Sequence, residues 1–209
     1  MYICTHIPAA SGTLQMDINQ LAVTQLPTVH GTFKMVAFDS GVPDFPHFAL
    51  WNELPSEITN VRVHSECVTG DVFGSVRCDC GEQLDAALSV FGAGGGMLIY
   101  LRQEGRGIGI INKMKAYNLQ DQGMDTIDAN LALGFHADSR DYTPAIAILK
   151  HLKVNKINLF TNNPEKVKAF DGSGIEVIDR KPVEIDVRLE NEAYLKAKKF
   201  RMGHFLDRF

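Results

Sequence analysis

The sequence lacks the features that mark several specialised classes of protein. No apolar run approaches the roughly 20 residues that a membrane-spanning helix needs. The segment from Met1 to His6 has neither the basic start nor the apolar stretch of a signal peptide. Only 4 of the 209 residues are cysteine, too few for the disulfide framework of a secreted chain. The formal net charge of −4 argues against a broad nucleic-acid surface, which is normally basic. We therefore expect a cytoplasmic protein with neither a nucleic-acid nor a membrane partner.

The composition is that of a globular domain, with 45% hydrophobic and 22% charged residues. No linker, repeat or low-complexity segment divides the chain, so we expect residues 1–209 to form a single domain. Residues 1–60 are expected to be a strand-rich lead-in, because Leu21 to Phe38 alternate loosely around Gly31 before glycine and prolines break the pattern.

After residue 60, strand patterns alternate with helical patterns. The strand patterns lie at Val61 and Val63, Val68–Val72, Val76, Met97–Leu101, Ile157–Phe160 and Ile175–Ile178. The helical patterns lie at Glu82–Phe91 with Gly92 as the stop, at Asn112–Gln122, after Thr143 and Asn163 as N-caps followed by proline, and at 189–206 with lysines facing outward. This alternation predicts an α/β fold with a mixed, partly parallel sheet flanked by helices.

The cysteines are unevenly placed. Cys67, Cys78 and Cys80 form a C-x10-C-x-C pattern, whose three thiolates can bind one Zn²⁺ and leave its fourth tetrahedral position open, as in catalytic zinc sites. The alternative is three buried thiols that only pack. His64 is not expected as a fourth ligand, because on a strand it and Cys67 would point to opposite faces. Cys4 lies far from the cluster and is expected to have no function.

A group of basic residues and a glycine-rich turn stand out in this acidic chain. The turn from Gln103 to Gly109 can present backbone N–H groups and Arg106 to phosphate oxygens, although it is not a P-loop and could be a plain surface turn. The segment from Asp138 to Asp141 could simply cap a helix, and Tyr117 could simply pack. The basic residues are Arg62, Arg77, Arg102, Arg106, Lys113 and Lys115.

Several blocks, in order and in register, resemble the GTP cyclohydrolase II family. The main blocks are Arg62–Asp71, Arg77–Gly81, Arg102–Arg106, Leu119–Gly123 and Thr161–Pro164, and the resemblance extends loosely to Met202–His204. It implies a hydrolase that opens the imidazole ring of GTP and releases formate and pyrophosphate. The product would be 2,5-diamino-6-(5-phospho-ribosylamino)pyrimidin-4(3H)-one, formed in the first committed step of riboflavin biosynthesis. Residues 61–170 would be the catalytic core and 189–206 a C-terminal helix.

The resemblance also implies roles for individual residues. Cys67, Cys78 and Cys80 would hold a zinc ion whose water attacks C8, and Tyr117 would lie beside the opening ring. Arg140 would attack the α-phosphorus with Asp138 as proton acceptor. A guanidinium is almost always protonated, however, so stabilisation of phosphate charge is an equal alternative for Arg140. The implied GTP contacts are Arg62, Val63, His64, Ser65, Glu66, Gln83, Glu104, Gly105, Arg106, Thr126, Thr161 and Lys166.

The resemblance further implies Mg²⁺ with the triphosphate, held mainly by the phosphates, and a homodimer. Bifunctional relatives carry a second synthase domain, for which 209 residues are expected to leave no room. Three rival hypotheses fit less well. A structural zinc module needs a fourth ligand, and a zinc-dependent base deaminase needs both H-x-E and P-C-x-x-C, a pair that is incomplete here. An inactive homologue is disfavoured because every matched catalytic position is filled.

Overall fold

Seven strands form one mixed sheet in the part of the chain that the computed structural model describes, residues 18–53 and 57–207. Their order across the sheet is β1-β2-β3-β5-β4-β6-β7. The strands are β1 Gln20–Thr28, β2 Gly31–Phe38, β3 His47–Trp51, β4 Thr59–Ser65, β5 Met97–Leu101, β6 Lys156–Phe160 and β7 Glu176–Lys181. Cys4 lies outside the described residues.

Seven α-helices and a short 3-10 helix connect these strands within the described residues. The α-helices are α1 Val68–Asp71, α2 Cys80–Gly94, α3 Gly109–Asp121, α4 Thr126–Ala132, α5 Thr143–His151, α6 Pro164–Lys168 and α7 Glu192–Met202. The 3-10 helix spans Glu104–Gly107. None of the helices in these residues is both long enough and apolar enough to cross a membrane. The mixed sheet flanked by helices confirms the predicted α/β class.

The sheet has an antiparallel half and a parallel half. β1, β2 and β3 pair antiparallel, and β3 pairs antiparallel with β5. On the other side, β4 pairs in parallel with both β5 and β6, and β6 pairs in parallel with β7. The three strands of β1 to β3 confirm the strand-rich N-terminal prediction for residues 20–51. Because parallel strands end at the same edge, the segments after β4, β5 and β6 meet there.

Helices cover both faces of the sheet, so the central strands are apolar on both sides. Ile99 of β5 packs in the larger core cluster with Ile148 of α5, whereas the adjacent Leu98 packs in the second cluster with Phe91 of α2. All four side chains are almost fully buried. This two-sided burial explains why β5 is a continuous apolar run rather than an alternating one.

The region around the first cysteine block differs from the prediction. Val68–Val72 was expected to be a strand, but α1 occupies Val68–Asp71, and Val76 lies in a turn rather than a strand. The reason is one distant and one local contact: the Val68 backbone N–H donates to Glu104 Oε2 at 2.6 Å, and the Cys67 N–H donates to Oδ2 of Asp71, within α1 itself, at 2.9 Å. These carboxylates satisfy N–H groups at the start of α1 and favour a helical turn over β-branched strand propensity.

Helix α2 begins at Cys80 rather than Glu82 and continues past Gly92 to Gly94, so the predicted stop is wrong. Gly92 serves a different purpose. A Cβ atom built there would lie 1.8 Å from the carbonyl oxygen of His30, which belongs to the turn between β1 and β2. Glycine therefore allows the hairpin to approach the helix closely, without ending it.

Three other helices also differ from prediction, the first being α3, which begins at Gly109 rather than Asn112. Tyr142, not Thr143, is the N-cap of α5, and Asp141 Oδ1 accepts hydrogen bonds from the Thr143 N–H and hydroxyl at 2.9 and 2.7 Å. The predicted cap of α6 is confirmed, since the Asn163 side chain accepts from the Glu165 N–H at 2.9 Å. Helix α7 is shorter than 189–206, and Lys198 on it is buried rather than facing outward.

Candidate active site

A cavity lies at the edge of the sheet where parallel strands β4, β5 and β6 end. Ser65, Glu66 and Cys67 line it after β4, Glu104–Arg106 after β5, and Thr161–Asn163 after β6. Helix α3 forms another part of the wall, and α7 contributes Tyr194, Lys198 and Met202. The parallel half of the sheet therefore positions the site, and β1 to β3 supply none of its lining.

The three clustered cysteines meet in this cavity. Cys67 is the N-cap of α1, Cys78 lies in the following loop and Cys80 is the first residue of α2. Their Sγ atoms all lie within 4.8 Å of one another, and those of Cys67 and Cys78 are 3.6 Å apart. Tetrahedral zinc with Zn–S bonds of about 2.3 Å places its sulfurs about 3.8 Å apart, so the three thiols fit such an ion. Among the described residues, the group that could hold a metal ion consists of these three cysteines.

Close backbone packing holds the two cysteine segments together. A Cβ atom at Gly81 would lie 2.3 Å from the carbonyl oxygen of Gly70, and one at Gly70 would lie 3.2 Å from Cys78 Sγ. Only glycine lets α1 and α2 approach to this distance. The glycine beside each cysteine segment is therefore part of the geometry that brings the thiols together.

The electrostatics of the cluster favour a thiolate. Hydrogen bonds from the Cys78 and Cys80 thiols, together with the Lys113 ammonium 3.0 Å from Cys67 Sγ, hold the pKa of Cys67 well below its ordinary value. The hydrogen bond that the Cys78 thiol donates to Cys67 raises the pKa of Cys78 to about 11. Hydrogen bonds to Cys67 and Cys78, together with burial, raise the pKa of Cys80. Lys113 Nζ also donates to Glu104 Oε1 at 2.9 Å. A bound metal ion would displace the remaining thiol protons.

His64 lies outside the thiol group, as expected from its position on β4. Its Nε2 is 3.1 Å from both carboxylate oxygens of Asp71, and burial lowers the pKa of the imidazole. Asp71 also accepts from the Tyr100 hydroxyl at 2.8 Å and from the Cys67 backbone N–H. Asp71 therefore ties β4, β5 and the first cysteine together.

Tyr117 reaches the thiol group from α3. Its hydroxyl lies 3.3 Å from the Thr69 hydroxyl, which is itself 3.6 Å from Cys67 Sγ. The Arg77 guanidinium stands over the Tyr117 ring at 5.0 Å from its centroid and pairs with Asp121. Burial raises the pKa of Tyr117, so the phenol remains protonated at neutral pH.

Cationic side chains dominate the other side of the cavity. Arg62 is buried and donates to Gln83 Oε1 at 2.7 Å and to the Phe160 carbonyl at 3.3 Å, while its Nε has no partner. Lys166 is also buried and donates to the Val63 carbonyl at 2.6 Å. Burial, together with the charges of Arg140 and Arg62, lowers the pKa of Lys166 well below its usual range. The lining cations are Arg62, Arg77, Arg106, Lys113, Arg140, Lys166 and Lys198. Such a surplus of positive charge is typical of a site for a polyanion.

Arg140 and Asp138 form a tight ion pair at one end of the cavity. Arg140 Nε donates to Asp138 Oδ1 at 2.8 Å, and its NH2 group donates to the other oxygen. Burial opposes charge on both groups, but their hydrogen bonds outweigh it. The pKa of Arg140 is therefore raised and that of Asp138 lowered. Both groups are charged at neutral pH.

The structure brings together most of the residues singled out in the sequence. The three cysteines, Tyr117, Arg140 and eleven of the twelve expected substrate contacts line the cavity. Asp138 and Val63 do not line the cavity but contact residues that do. Asp138 accepts a hydrogen bond from Arg140, and the Val63 carbonyl accepts one from Lys166. Sequence reasoning missed the lining residues Asn130, Asn162, Tyr194 and Lys198. Asn162 lies inside a matched block, whereas Tyr194 and Lys198 on α7 carried no signal beyond helical periodicity.

The fold and site thus define an α/β protein with three clustered thiols that could hold a metal ion, in a cationic cavity. A sequence model of the family "GTP cyclohydrolase II" matches residues 19–182. The chain belongs to the GTP cyclohydrolase II family.

Similar proteins include both short and long relatives. The chain is 48% identical over 197 residues to "GTP cyclohydrolase-2" of Acinetobacter baumannii. The matched region covers 92% of this chain and 98% of the relative. The chain is 47% identical over 193 residues to "Riboflavin biosynthesis protein RibBA" of Chlorobium phaeovibrioides, covering 91% of this chain and 47% of that protein. The chain therefore spans about half the length of such RibBA relatives. A solved structure, RibBX, described as a two-domain 3,4-dihydroxy-2-butanone 4-phosphate synthase from A. baumannii, superposes with a TM-score of 0.47 at 20% identity, over 83% of this chain and 42% of its own.

Proposed function

We propose that this protein is a zinc-dependent GTP cyclohydrolase II. It opens the imidazole ring of GTP, releases formate and pyrophosphate, and yields 2,5-diamino-6-(5-phospho-ribosylamino)pyrimidin-4(3H)-one for riboflavin biosynthesis. The observation that carries this proposal is the position of the three-thiol group, Cys67, Cys78 and Cys80, in the same cavity as a surplus of cations. One end of the cavity suits a metal-dependent attack on the base, and the other suits a triphosphate.

The thiol end would carry out ring opening. When bound by Cys67, Cys78 and Cys80, zinc supplies a Lewis acid that lowers the pKa of water beside C8 of the purine. Lys113 supports this end by offsetting thiolate charge, since its Nζ lies 3.0 Å from Cys67 Sγ. Tyr117 retains its phenolic proton because burial raises its pKa, and it donates that proton to the ring nitrogen as the C–N bond breaks.

The cationic end would bind the triphosphate. Arg62, Arg106 and Lys166 line it, together with Arg140. The pKa of Lys166 is depressed by burial and by the neighbouring cations. A bound phosphate supplies the negative charge that this cluster of cations lacks. Mg²⁺ accompanies the substrate and is held mainly by the phosphates. Gln83, Thr126 and Thr161, with the backbone and side chains from Val63 to Glu66 and the Glu104–Gly105 turn, complete the nucleotide contacts.

We assign Arg140 to stabilisation of phosphate charge rather than to nucleophilic attack. Asp138 accepts hydrogen bonds from Nε and NH2 of Arg140, which keeps the guanidinium protonated and planar. A protonated guanidinium has no lone pair to attack phosphorus. Its remaining N–H groups can instead bind the oxygens that gain charge as pyrophosphate departs.

The protein is further proposed to act as a homodimer in the cytoplasm. Large apolar side chains are exposed on or beside α1 and α3, including Phe73 at 76% and Ile111 at 64%. Contiguous patches of exposed apolar side chains mark protein–protein interaction sites, and these side chains are proposed to form such a patch. Sedimentation equilibrium tests the dimer: a mass twice the 23.1 kDa of one chain is expected, and a single-chain mass contradicts it.

Incubation with GTP tests the proposed reaction. Zinc-loaded protein with GTP and Mg²⁺ should release formate and pyrophosphate in equal amounts as GTP is consumed. The Cys78→Ser variant, loaded in the same way, is the matched control and should release neither. Recovery of unchanged GTP from zinc-replete wild-type protein would contradict the proposal.

A further inference from the structure

Helix α7 lies over the cavity, although it falls after the residues 19–182 that match the family model. Tyr194, Lys198 and Met202 on this helix line the cavity, as does His204 just after it. The candidate site therefore includes a C-terminal segment to which nothing above assigns a role.

Lys198 connects this helix to the second cysteine segment. Its Nζ lies 2.5 Å from Oδ1 of Asp79, the residue between Cys78 and Cys80. Lys198 is 8% exposed and Asp79 is 1% exposed, so the ion pair is almost fully removed from water. Loss of one member would leave the other as a buried charge without its ion-pair partner, which is strongly unfavourable.

The second oxygen of Asp79 continues the connection toward the substrate end. Oδ2 accepts from Gln83 Nε2 at 2.7 Å, and Gln83 Oε1 accepts from Arg62 at 2.7 Å. Asp79 occupies the N-cap position of α2, but its side chain makes no capping hydrogen bond. The carboxylate is instead engaged by Lys198 and Gln83, and a continuous chain of polar contacts runs from α7 through the cysteine segment to Arg62.

Helix α7 is itself firmly attached at two further points. Arg201 pairs with Asp125 and Asp128 at the start of α4. After the helix, the Phe205 N–H donates to the Asn162 carbonyl at 2.8 Å. A residue on α7 therefore has a fixed frame against which it can hold a loop.

We propose that Lys198 is a positioning residue that, through Asp79, holds Cys78 and Cys80 in the arrangement that binds zinc. Without the Lys198 ammonium, Asp79 must turn toward water to recover its solvation, and the cysteines on either side of it move with the backbone. The proposal rests on zinc binding by the three thiols, as the proposed function requires. Groups that support metal ligands from outside typically change metal affinity by about 10- to 100-fold.

Cobalt binding tests this role independently of catalysis. Co²⁺ titrated into metal-free protein gives a thiolate-to-cobalt charge-transfer band, and competition with a chelator gives the affinity. We expect Lys198→Met to bind Co²⁺ about 10- to 100-fold more weakly than wild type, with an altered band shape. Lys196→Met is the matched control: Lys196 is exposed on the same helix and pairs with Glu192, so its loss should leave affinity and spectrum unchanged.

A double variant separates positioning from folding. Asp79→Asn combined with Lys198→Met removes both members of the buried ion pair, so it should fold even if Lys198→Met alone does not. The double variant still lacks the ion pair between Lys198 and Asp79, so it should bind Co²⁺ more weakly than wild type. Wild-type cobalt affinity and band shape in the double variant, or in a folded Lys198→Met protein, would overturn the proposal. Absence of the thiolate band in wild-type protein is a different result, because it contradicts the zinc site itself and this inference with it.

Discussion

The two halves of the sheet both contribute buried side chains to the core but differ in what they hold. In the antiparallel half, Phe33, Val36 and Phe38 of β2 are fully buried, yet no residue of β1 to β3 lines the cavity. In the parallel half, the segments after β4, β5 and β6 supply thiols, carboxylates and cations to one edge. The difference follows from topology: antiparallel hairpins send successive strand ends to opposite edges, whereas parallel strands bring theirs together. The antiparallel half therefore supports the fold, and the parallel half positions the residues of the candidate site.

The largest expected effect comes from the thiol group. In Cys78→Ser, metal affinity should fall by more than about 100-fold, beyond what loss of a supporting group costs, because one of three ligands is removed. Ring opening should then be undetectable. Zinc content after dialysis and formate release measure both effects. Full zinc occupancy with normal formate release would remove the thiols from the account.

A core substitution in the antiparallel half should have the opposite effect: it should lower stability and leave activity unchanged. Phe33 is fully buried against Phe91 and Leu98, so Phe33→Ala should lower the free energy of unfolding by about 3–5 kcal/mol. The activity of each folded molecule should be unchanged, because β2 contributes nothing to the cavity. Urea unfolding and assays at a temperature where the variant is folded provide the measurements. A folded Phe33→Ala protein that loses most of its activity would break the division between the halves.

The charge-stabilising role of Arg140 predicts a smaller catalytic loss. Arg140→Lys retains the charge but loses the planar fork, so kcat should fall by about 100-fold, as when one oxyanion donor is removed. Lys168→Gln, which removes an exposed cation, is the control and should behave as wild type. Steady-state kinetics provide the test: an unchanged kcat in Arg140→Lys would show that the planar fork of Arg140 does not stabilise the transition state.

The smallest effect is on the pH dependence of stability. Hydrogen bonds from Arg140 hold the pKa of Asp138 below its ordinary value despite burial. The carboxylate therefore stabilises the fold above the unfolded-state pKa of about 3.9, and this contribution is lost as the pH falls through the lower, folded-state pKa. Asp138→Asn should be about 2 kcal/mol less stable than wild type at pH 7, with the gap narrowing below about pH 4.

Urea titrations of both proteins between acidic and neutral pH measure that gap. Asp171→Asn, at an exposed turn, is the control and should show no such dependence. A gap between wild type and Asp138→Asn that stays constant down to the lowest pH would mean that the ion pair with Arg140 does not stabilise the fold.

Local sequence patterns predicted what local forces determine. A continuous apolar run identified β5, the strand pattern Ile157–Phe160 identified β6, Asn163 before proline identified the start of α6, and the cysteine spacing identified the thiol group. The errors lie where distant residues intervene. Val68 enters a helix because its N–H donates to Glu104, and Lys198 is buried because Asp79 pairs with it from 119 positions away. Neither partner, Glu104 or Asp79, can be predicted from hydrophobic periodicity, because periodicity depends only on residues that are neighbours along the chain.

The same distinction applies to the site. The residues of the cysteine, arginine and glycine blocks were identifiable because their side chains act directly and their spacing is characteristic. The supporting residues were not. Asp71 and Asp79 look like ordinary surface acids in the sequence, and only the fold shows that each is buried beside a cysteine and engaged by residues from other elements.

The most direct test of the proposed ring opening follows C8 of GTP, the carbon proposed to be attacked in the cavity at the edge of the parallel strands. GTP labelled with ¹³C at C8 is incubated with zinc-loaded protein and Mg²⁺ and observed by NMR. The account predicts that the label leaves as free formate, one for each GTP consumed, and that zinc-free protein releases none. A label that stays in intact GTP, or that remains attached to the pyrimidine product, would contradict the account.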